Sequence, residues 1–588
     1  MSESLIDLAR LRAEENPLNG FRFLKDGRWP TQLLTYAELE KAAQNLAAVI
    51  QGAGVERGSR VILVFGPGLR FVEAFWACLH AGAIVVPAPP IEPSRLQRTV
   101  PRLRAIVRDC RPALLLTDSP STAEVNLEGN IPELRGVPIV NLNSAPDPKA
   151  TWIRPQISAD KVAMIQYTSG STSSPRGVCV THANLMHNLK MLDEFHGPER
   201  PATMVHWLPL YHDMGLIRGM LSPLHMGADC VMMSPADFIH RPRRWLDAVT
   251  RYRATHIGAP NFGYELCVRK ISNRELKLLD LSYLRVAFCS SEPIRDTTVH
   301  RFIRHFSACG FKARAFRPSY GLAEATVMVS CELGSKGPHI ERCERRALRE
   351  GKFTTRNLEE KETTNIVSCG TALGGQEILV VDEHGHPCEN DEIGEIWVKG
   401  PSIAIGYWRN RAATGEIFRA YLANGRGPYL KTGDLGRLSA EGRLFVTGRR
   451  KDLIIIRGQN FYPHDIEMEL ENEIHEIRPG CSAAISIGEE VGESLGVAAE
   501  LSDSNLRHED LKRVVTAMRR VVGNRFDVSL TFVALLAART LPKTSSGKIQ
   551  RGYTCQSLLC GRLDTIHSWR LRRNRLMQQK PFRHHSNR

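Results

Sequence analysis

Four short segments hold residues whose types and spacing suit chemistry on a phosphorylated ligand. In the first, the β-rich run Met164–Thr168 leads into Ser169, Gly170, Ser171, Thr172, Ser173, Ser174, Pro175, Arg176 and Gly177, followed by a helical pattern at 184–195. Consecutive small residues let backbone N–H groups converge on anionic oxygens. The hydroxyls of Thr168, Ser169, Ser171 and Thr172 add donors, so the segment reads as a phosphate cradle. It is not a Walker A loop, because G-x-x-x-x-G-K-[ST] is absent, and alone such a loop is usually a connector. In the second segment, Pro318–Thr326, an aromatic and a glycine (Tyr320, Gly321) precede a single carboxylate, Glu324, a set able to stack a planar base and hold a metal ion near phosphates. The competing reading is a helix start with a solvent-facing Glu. In the third, Asp434 on the turn Thr432-Gly433-Asp434 offers an acceptor for vicinal hydroxyls, where a plain hairpin would also fit. In the fourth, Lys548 closes the loop Ser545-Ser546-Gly547-Lys548, where a lysine is most often simply exposed.

The elements that must position these residues alternate throughout. Thr35 to Glu38 is a capping-box pattern followed by Leu39, Ala42, Ala43, Leu46, Val49 and Ile50 on one helical face; Gly52 and Gly54 then stop the helix, and 60–64 reads as a strand. Further strands are expected at 113–116, 162–167, 285–289, 377–381, 395–398 and 452–456, many with Gly or Pro punctuation. The pattern is that of an α/β protein with largely buried parallel strands. After Arg449 a compact α/β pattern returns, with strands near 483–487, 496–500 and 530–535 and helices at 464–477 and 509–522, which reads as a second, smaller domain. The expected division is 1–447, 448–568 and a basic tail, 569–588.

Composition excludes several classes. A chain of 588 residues, 42% hydrophobic and 24% charged, is neither fibrous nor disordered. The net charge of +15 invites a nucleic-acid reading, but residues 569–588 contain seven basic residues and no acid, leaving +8 for the rest. Nucleic acid is therefore not expected as a partner. The 14 cysteines show no C-x-x-C pair and read as reduced thiols rather than a zinc site or disulfide framework. The N-terminus, with Asp7, Glu14 and Glu15, is a poor signal peptide, and no run approaches the length of a membrane span. A cytoplasmic location is expected.

Taken together and in this order, the motifs resemble the adenylate-forming superfamily of acyl-CoA synthetases, firefly luciferase-like enzymes and peptide-synthetase adenylation domains. The segments 207–217, 320–326, 367–370 and 457–467 are similar to its fatty acyl-AMP ligase branch. The resemblance implies a large N-terminal adenylation domain of packed α/β subdomains and a small mobile C-terminal α/β domain. It implies ATP and Mg²⁺, a fatty acid substrate and an acyl carrier protein as acceptor. Thr168, Ser169, Gly170, Ser171, Thr172 and Ser173 would surround the β- and γ-phosphates. Ser291, Glu292, Pro293 and Tyr320 would flank adenine, with Ser319, Gly321 and Ala323 lining the nucleotide pocket. Glu324 would bind Mg²⁺, Asp434 the ribose hydroxyls, and Arg449 the ribose or phosphate. Lys451 falls at the interdomain hinge. Lys548 matches the mobile catalytic lysine, and His212 the residue beside the acyl carboxylate.

The phosphate loop departs from the usual T-G-x-P-K-G at Ser173, which costs backbone freedom, and at Arg176, which keeps the charge but not the shape. Ala323 replaces the superfamily's common Thr, as in the acyl-AMP ligase branch. Residues 335–366, with eight basic and six acidic side chains and no convincing period, read as a surface excursion. The resemblance associates a segment here with impeded transfer to CoA. Only 37 residues follow Arg551, too few for a carrier domain, so the carrier is expected to act in trans. A fatty acyl-CoA ligase and a weakly active adenylate-binding or carrier-docking protein stand as the alternatives.

Overall fold

The computed structural model describes residues 4–93, 96–118, 126–144, 151–168, 175–197, 201–334, 336–355, 362–489, 492–544 and 547–571. They fall into two compact α/β units, Met1–Lys451 with Thr544–Lys548, and Asp452–Lys543 with Ile549–Arg588. Thr447, expected as the last residue of the large domain, lies inside the strand Leu444–Arg449, whose ladder carries the first unit past it.

In the first unit the apolar runs become two large sheets. One has the order Gly406–Tyr407, Arg176–Thr181, Val162–Thr168, Ile84–Ala88, Arg60–Val64, Leu114–Thr117, Ile139–Asn141, with its last five strands parallel. The other places Gly20–Lys25, Asp229–Met233, Thr203–His206, His256–Ala259, Val286–Cys289 and Phe316–Tyr320 side by side in parallel. The helix Leu69–His80 has nine of its 12 residues buried, including Phe75 and Trp76, so only its first turn, where Arg70 pairs with Glu73, meets solvent and the rest packs within the shared core. The helix Tyr36–Gly52, by contrast, is amphipathic and starts at a reciprocal cap between Thr35 and Glu38. A four-stranded antiparallel sheet, Glu377–Val381, Gly394–Lys399, Leu430–Leu438 and Leu444–Arg449, completes the unit's main sheets.

Three expectations change. A strand not foreseen precedes the helix expected at 184–195: Arg176–Thr181 runs antiparallel to Val162–Thr168, and the helix follows at His182–His196, capped by Thr181 and Asn184. Burial of Val178 and Val180 in the sheet core selects this extra strand. The charged excursion carries regular structure among its described residues, the strands Ile340–Glu344 and Thr363–Val367 pairing around the short helix Arg345–Arg349. Cys343, Ala347, Leu348 and Phe353 are buried there, a spacing too irregular to announce itself as a period. Finally, Trp569 and Arg570, assigned to the basic tail, belong to the strand Thr565–Arg570, because Trp569 packs on the second unit's core; residues 572–588 lie outside the described residues.

In the second unit the strands Ile477–Glu489, Gly492–Leu501, Leu530–Leu536 and Thr565–Arg570 form one sheet. The helices Pro463–Glu473 and His508–Phe526 bury Ile466, Leu470, Val514, Met518 and Val522 against it. The strand expected at 452–456 starts only at Ile454. It pairs with Gln459–Phe461 across Arg457 and Gly458, both at positive φ, as a two-residue hairpin requires.

Candidate active site

The site grows from the ends of the strands Phe316–Tyr320, Leu430–Leu438 and Leu444–Arg449. Their register sets Asp434 opposite Arg449. The buried Asp434 carboxylate accepts 2.8 Å hydrogen bonds from the Tyr320 phenol on one oxygen and from Arg449 Nε on the other. Burial, and then the Asp434 charge, push the Tyr320 hydroxyl well above its ordinary pKa, so it remains a donor. A carboxylate has about four lone-pair sites. Those not used by Tyr320 and Arg449 fit a pair of vicinal hydroxyls.

Gly321 follows Tyr320. A Cβ there would stand 1.8 Å from the Val327 carbonyl oxygen, so only glycine allows the chain to double back. The resulting turn Ala323–Ala325 buries Ala323 and presents Glu324, whose Oε1 accepts from the Tyr407 hydroxyl at 2.8 Å. Burial and the Glu324 charge raise the Tyr407 pKa, and the Arg176 guanidinium lies 5.3 Å from the Tyr407 ring centre. Tyr407 thus links the cation that closes the phosphate loop to the candidate metal ligand, a role that the sequence reading missed. The available signal was Gly406-Tyr407-Trp408 in an otherwise unassigned segment. One carboxylate beside a phosphate site is a donor set that Mg²⁺ accepts, since the ion usually keeps waters and takes one or two carboxylates plus phosphate oxygens.

Thr168 ends its strand paired with Arg176, so the phosphate loop is the connection of a hairpin rather than the entry to a helix. Ser169, Gly170, Ser171, Thr172 and Ser173 lie outside the described residues. Ser291 holds φ of 77° and places Oγ 3.2 Å from Met214 Sδ. The Glu292 carboxylate accepts from the Phe262 N–H at 2.6 Å, anchoring the segment to the first turn of the helix Asn261–Lys270; Pro293 follows it. Ser319, buried, donates to the Cys289 carbonyl and accepts from Arg218.

His212 Nδ1 lies 2.6 Å from Asp213 Oδ1, at the head of the π-helix Met214–Leu221. Burial pushes the Asp213 carboxyl up, but His212, Lys548 and the Met214 N–H pull it further down, so it stays ionised. Lys548, in the segment that belongs with the first unit, is partly buried, and its N–H donates to Thr544 Oγ1 at 3.1 Å. Loss of hydration and the nearby Arg449 lower its pKa below the ordinary lysine value. Asp213, Glu292 and Asp434 oppose that shift. One ammonium is therefore within electrostatic reach of the candidate acyl, adenine and ribose residues. Lys451 lies in the turn Arg450–Asp452.

The family model for AMP-binding enzymes matches residues 15–408. The chain belongs to the AMP-binding enzyme family. This AMP-binding enzyme is 39% identical over 573 residues to the medium-chain-fatty-acid–[acyl-carrier-protein] ligase JamA of Moorena producens (strain JHB), covering 95% of this chain and 96% of that protein. It is 33% identical to a long-chain-fatty-acid–AMP ligase of Mycobacterium marinum, over 93% of this chain and 96% of the relative. Among solved structures it is similar to a fatty acyl-adenylate ligase from a study of the E. coli and L. pneumophila enzymes, with a TM-score of 0.86 and 32% identity over 95% of this chain and 98% of the other. A Legionella pneumophila fatty acyl-adenylate ligase in complex with acyl adenylate and pyrophosphate aligns with a TM-score of 0.74 and 33% identity, over 97% of this chain and 98% of that one. Among the described residues no helix is long and apolar enough to cross a membrane.

Proposed function

We propose that the enzyme activates a medium- or long-chain fatty acid with ATP, forming acyl-AMP and pyrophosphate. The acyl group then passes to the phosphopantetheine thiol of an acyl carrier protein. The observation that carries this reading is the Tyr320–Asp434–Arg449 cluster, a buried carboxylate held for a ribose, with Lys548 within electrostatic reach. Fatty-acid and carrier-protein specificity is supported by the activities for which the relatives are named.

In the first step a carboxylate oxygen attacks the α-phosphorus and the bond to the β-phosphate oxygen breaks. Both reactants are anionic, so cations must offset their repulsion and the charge on departing pyrophosphate. Lys548 and Arg449 supply fixed positive charge, while His212 orients the acyl carboxylate. Ser291, Pro293 and Tyr320 would flank adenine. Thr168 to Ser173 would hold the phosphates, with Arg176 at the loop's end. Mg²⁺, held by Glu324, would neutralise phosphate oxygens when bound. In the second step the carrier thiol, losing its proton, attacks the acyl carbonyl and AMP leaves. The segment 335–366 would bias this step against free CoA, with Lys451 as the pivot between steps.

The test is to incubate the full chain with ATP, Mg²⁺ and a fatty acid, adding either holo-carrier protein or free CoA. Fatty-acid-dependent ATP–pyrophosphate exchange with thioester formed on the carrier is expected. Efficient acyl-CoA synthesis would move the assignment to a CoA ligase, and absence of exchange with any acid would overturn it.

A further inference from the structure

Arg218 is 2% exposed, yet it is a cation in the core of the first unit. It lies in the π-helix that begins beside His212, and single π-turns frequently mark functional sites. Its Nη1 donates to Ser319 Oγ at 3.2 Å, and the guanidinium stacks 3.5 Å from the Phe288 ring centre and 4.4 Å from that of Phe195. Among the described residues Nε and Nη2 have no hydrogen-bond partner. Another guanidinium, Arg317, opposes its charge; Arg317 donates to the Phe195 carbonyl and lies 5.4 Å from the same ring.

This arrangement is costly as a purely structural feature. A buried charge without a counterion loses its hydration and gains little in return, and a like-charged neighbour adds to that cost. Burial accordingly pulls the Arg218 pKa down to about 9. The unused donors are not random: Nε–H and the adjacent Nη2–H form the edge of guanidinium that takes a carboxylate bidentately. Position gives the ligand's direction. Met214, about one helical turn nearer His212, touches Ser291 of the adenine-flanking segment, whereas Arg218 reaches Phe288 and Ser319 on the adjoining strands. From His212 to Arg218 the helix axis advances by about 9 Å or slightly less.

We infer that Arg218 is a specificity residue that receives a second carboxylate, carried by the acyl substrate at the end remote from the reacting one. The enzyme's preferred acids are then dicarboxylic. This rests on the acyl-adenylating reading above and narrows its substrate class.

The experiment measures acid-dependent ATP–pyrophosphate exchange by the full chain with matched pairs from hexanoic and hexanedioic to dodecanoic and dodecanedioic acid. For at least one pair the diacid should exceed the monoacid in kcat/KM by about 10- to 100-fold, the value of a charged bidentate contact. Arg218→Met should bring that ratio to one or below and raise kcat/KM for the monoacid. Arg218→Lys, which keeps charge but loses the fork, should fall between. Calorimetry without ATP should show the same order of binding, independently of catalysis. A wild-type ratio near one for every pair, or a ratio unchanged in both variants, overturns the inference while leaving acid activation intact. Failure of every acid in exchange overturns the activity itself, and calorimetry then decides whether Arg218 still selects diacids.

Discussion

At the residue scale, Lys548 concentrates the most chemistry into one group. Its ammonium faces Asp213, Glu292 and Asp434, yet burial and Arg449 keep its pKa below the ordinary lysine value of 10.5. A lowered pKa means that the proton is lost earlier as pH rises. Lys548-dependent adenylation should therefore decline on an alkaline limb lying below 10.5, and Lys548→Arg, whose charge does not titrate there, should flatten that limb. Lys548→Ala should reduce acyl-adenylate formation by about 10²–10³-fold, the worth of one charge-stabilising donor. Stopped-flow or exchange assays across pH would check both; an unimpaired Ala variant would remove the lysine from the mechanism. Tyr320, Glu324, Asp434 and Lys548 could be singled out as candidates from the sequence because motif chemistry limits residue type. Tyr407 and Arg218 could not. A tyrosine in a segment without an assigned motif and an arginine inside an apolar helix acquire meaning only when Glu324 and Phe288 are seen beside them.

At the element scale, long apolar runs declared themselves and short or irregular ones did not. The strands at 162–168, 377–381 and 530–536 were legible within a residue or so because most of their residues are apolar and buried or half-buried. The strand Arg176–Thr181 was hidden behind a loop composition that suggests a helix entry, and this changes the physics of the cradle. In the reading proposed above, phosphate would meet the connection between two paired strands rather than the start of a helix, with no helix dipole behind it. The turn after Tyr320 depends on a different constraint, the close pass of Gly321 under Val327. Gly321→Ala would force the carbonyl at Val327 to move. An expected destabilisation of about 1–3 kcal/mol, typical of overpacking, should appear as a lowered Tm together with a raised KM for ATP, because Glu324 and Tyr320 flank the displaced turn. A variant with normal Tm and KM would show that the turn has room to spare.

At the scale of the whole molecule, the two units have separate cores, and the second is organised around an ion pair rather than apolar packing alone. The Arg551 guanidinium reaches Glu467 with Nε and Nη2, both at 2.7 Å, and Asp452 with Nη1 at 3.3 Å, while Glu467 also accepts from the Ala484 N–H. Burial alone would lower the Arg551 pKa, but Glu467 and Asp452 hold it above its ordinary value. Glu467→Gln keeps the shape and removes the charge, leaving a buried cation underpaired, a change that costs about 3–5 kcal/mol. The loss should fall on the second unit. Hydrogen exchange should show protection in the helix His508–Phe526 reduced several-hundred-fold or more, with Leu69–His80 unchanged. The chain leaves the second unit at Lys543, gives Thr544–Lys548 to the first and returns at Ile549, so Lys548 is tethered at both ends to the weakened unit. Adenylation should consequently fail at the temperature at which His508–Phe526 loses protection, while the first unit is still folded. If activity instead tracked Leu69–His80, or if both helices lost protection together, the two units would share one cooperative transition and Lys548 would owe its placement to the first unit alone.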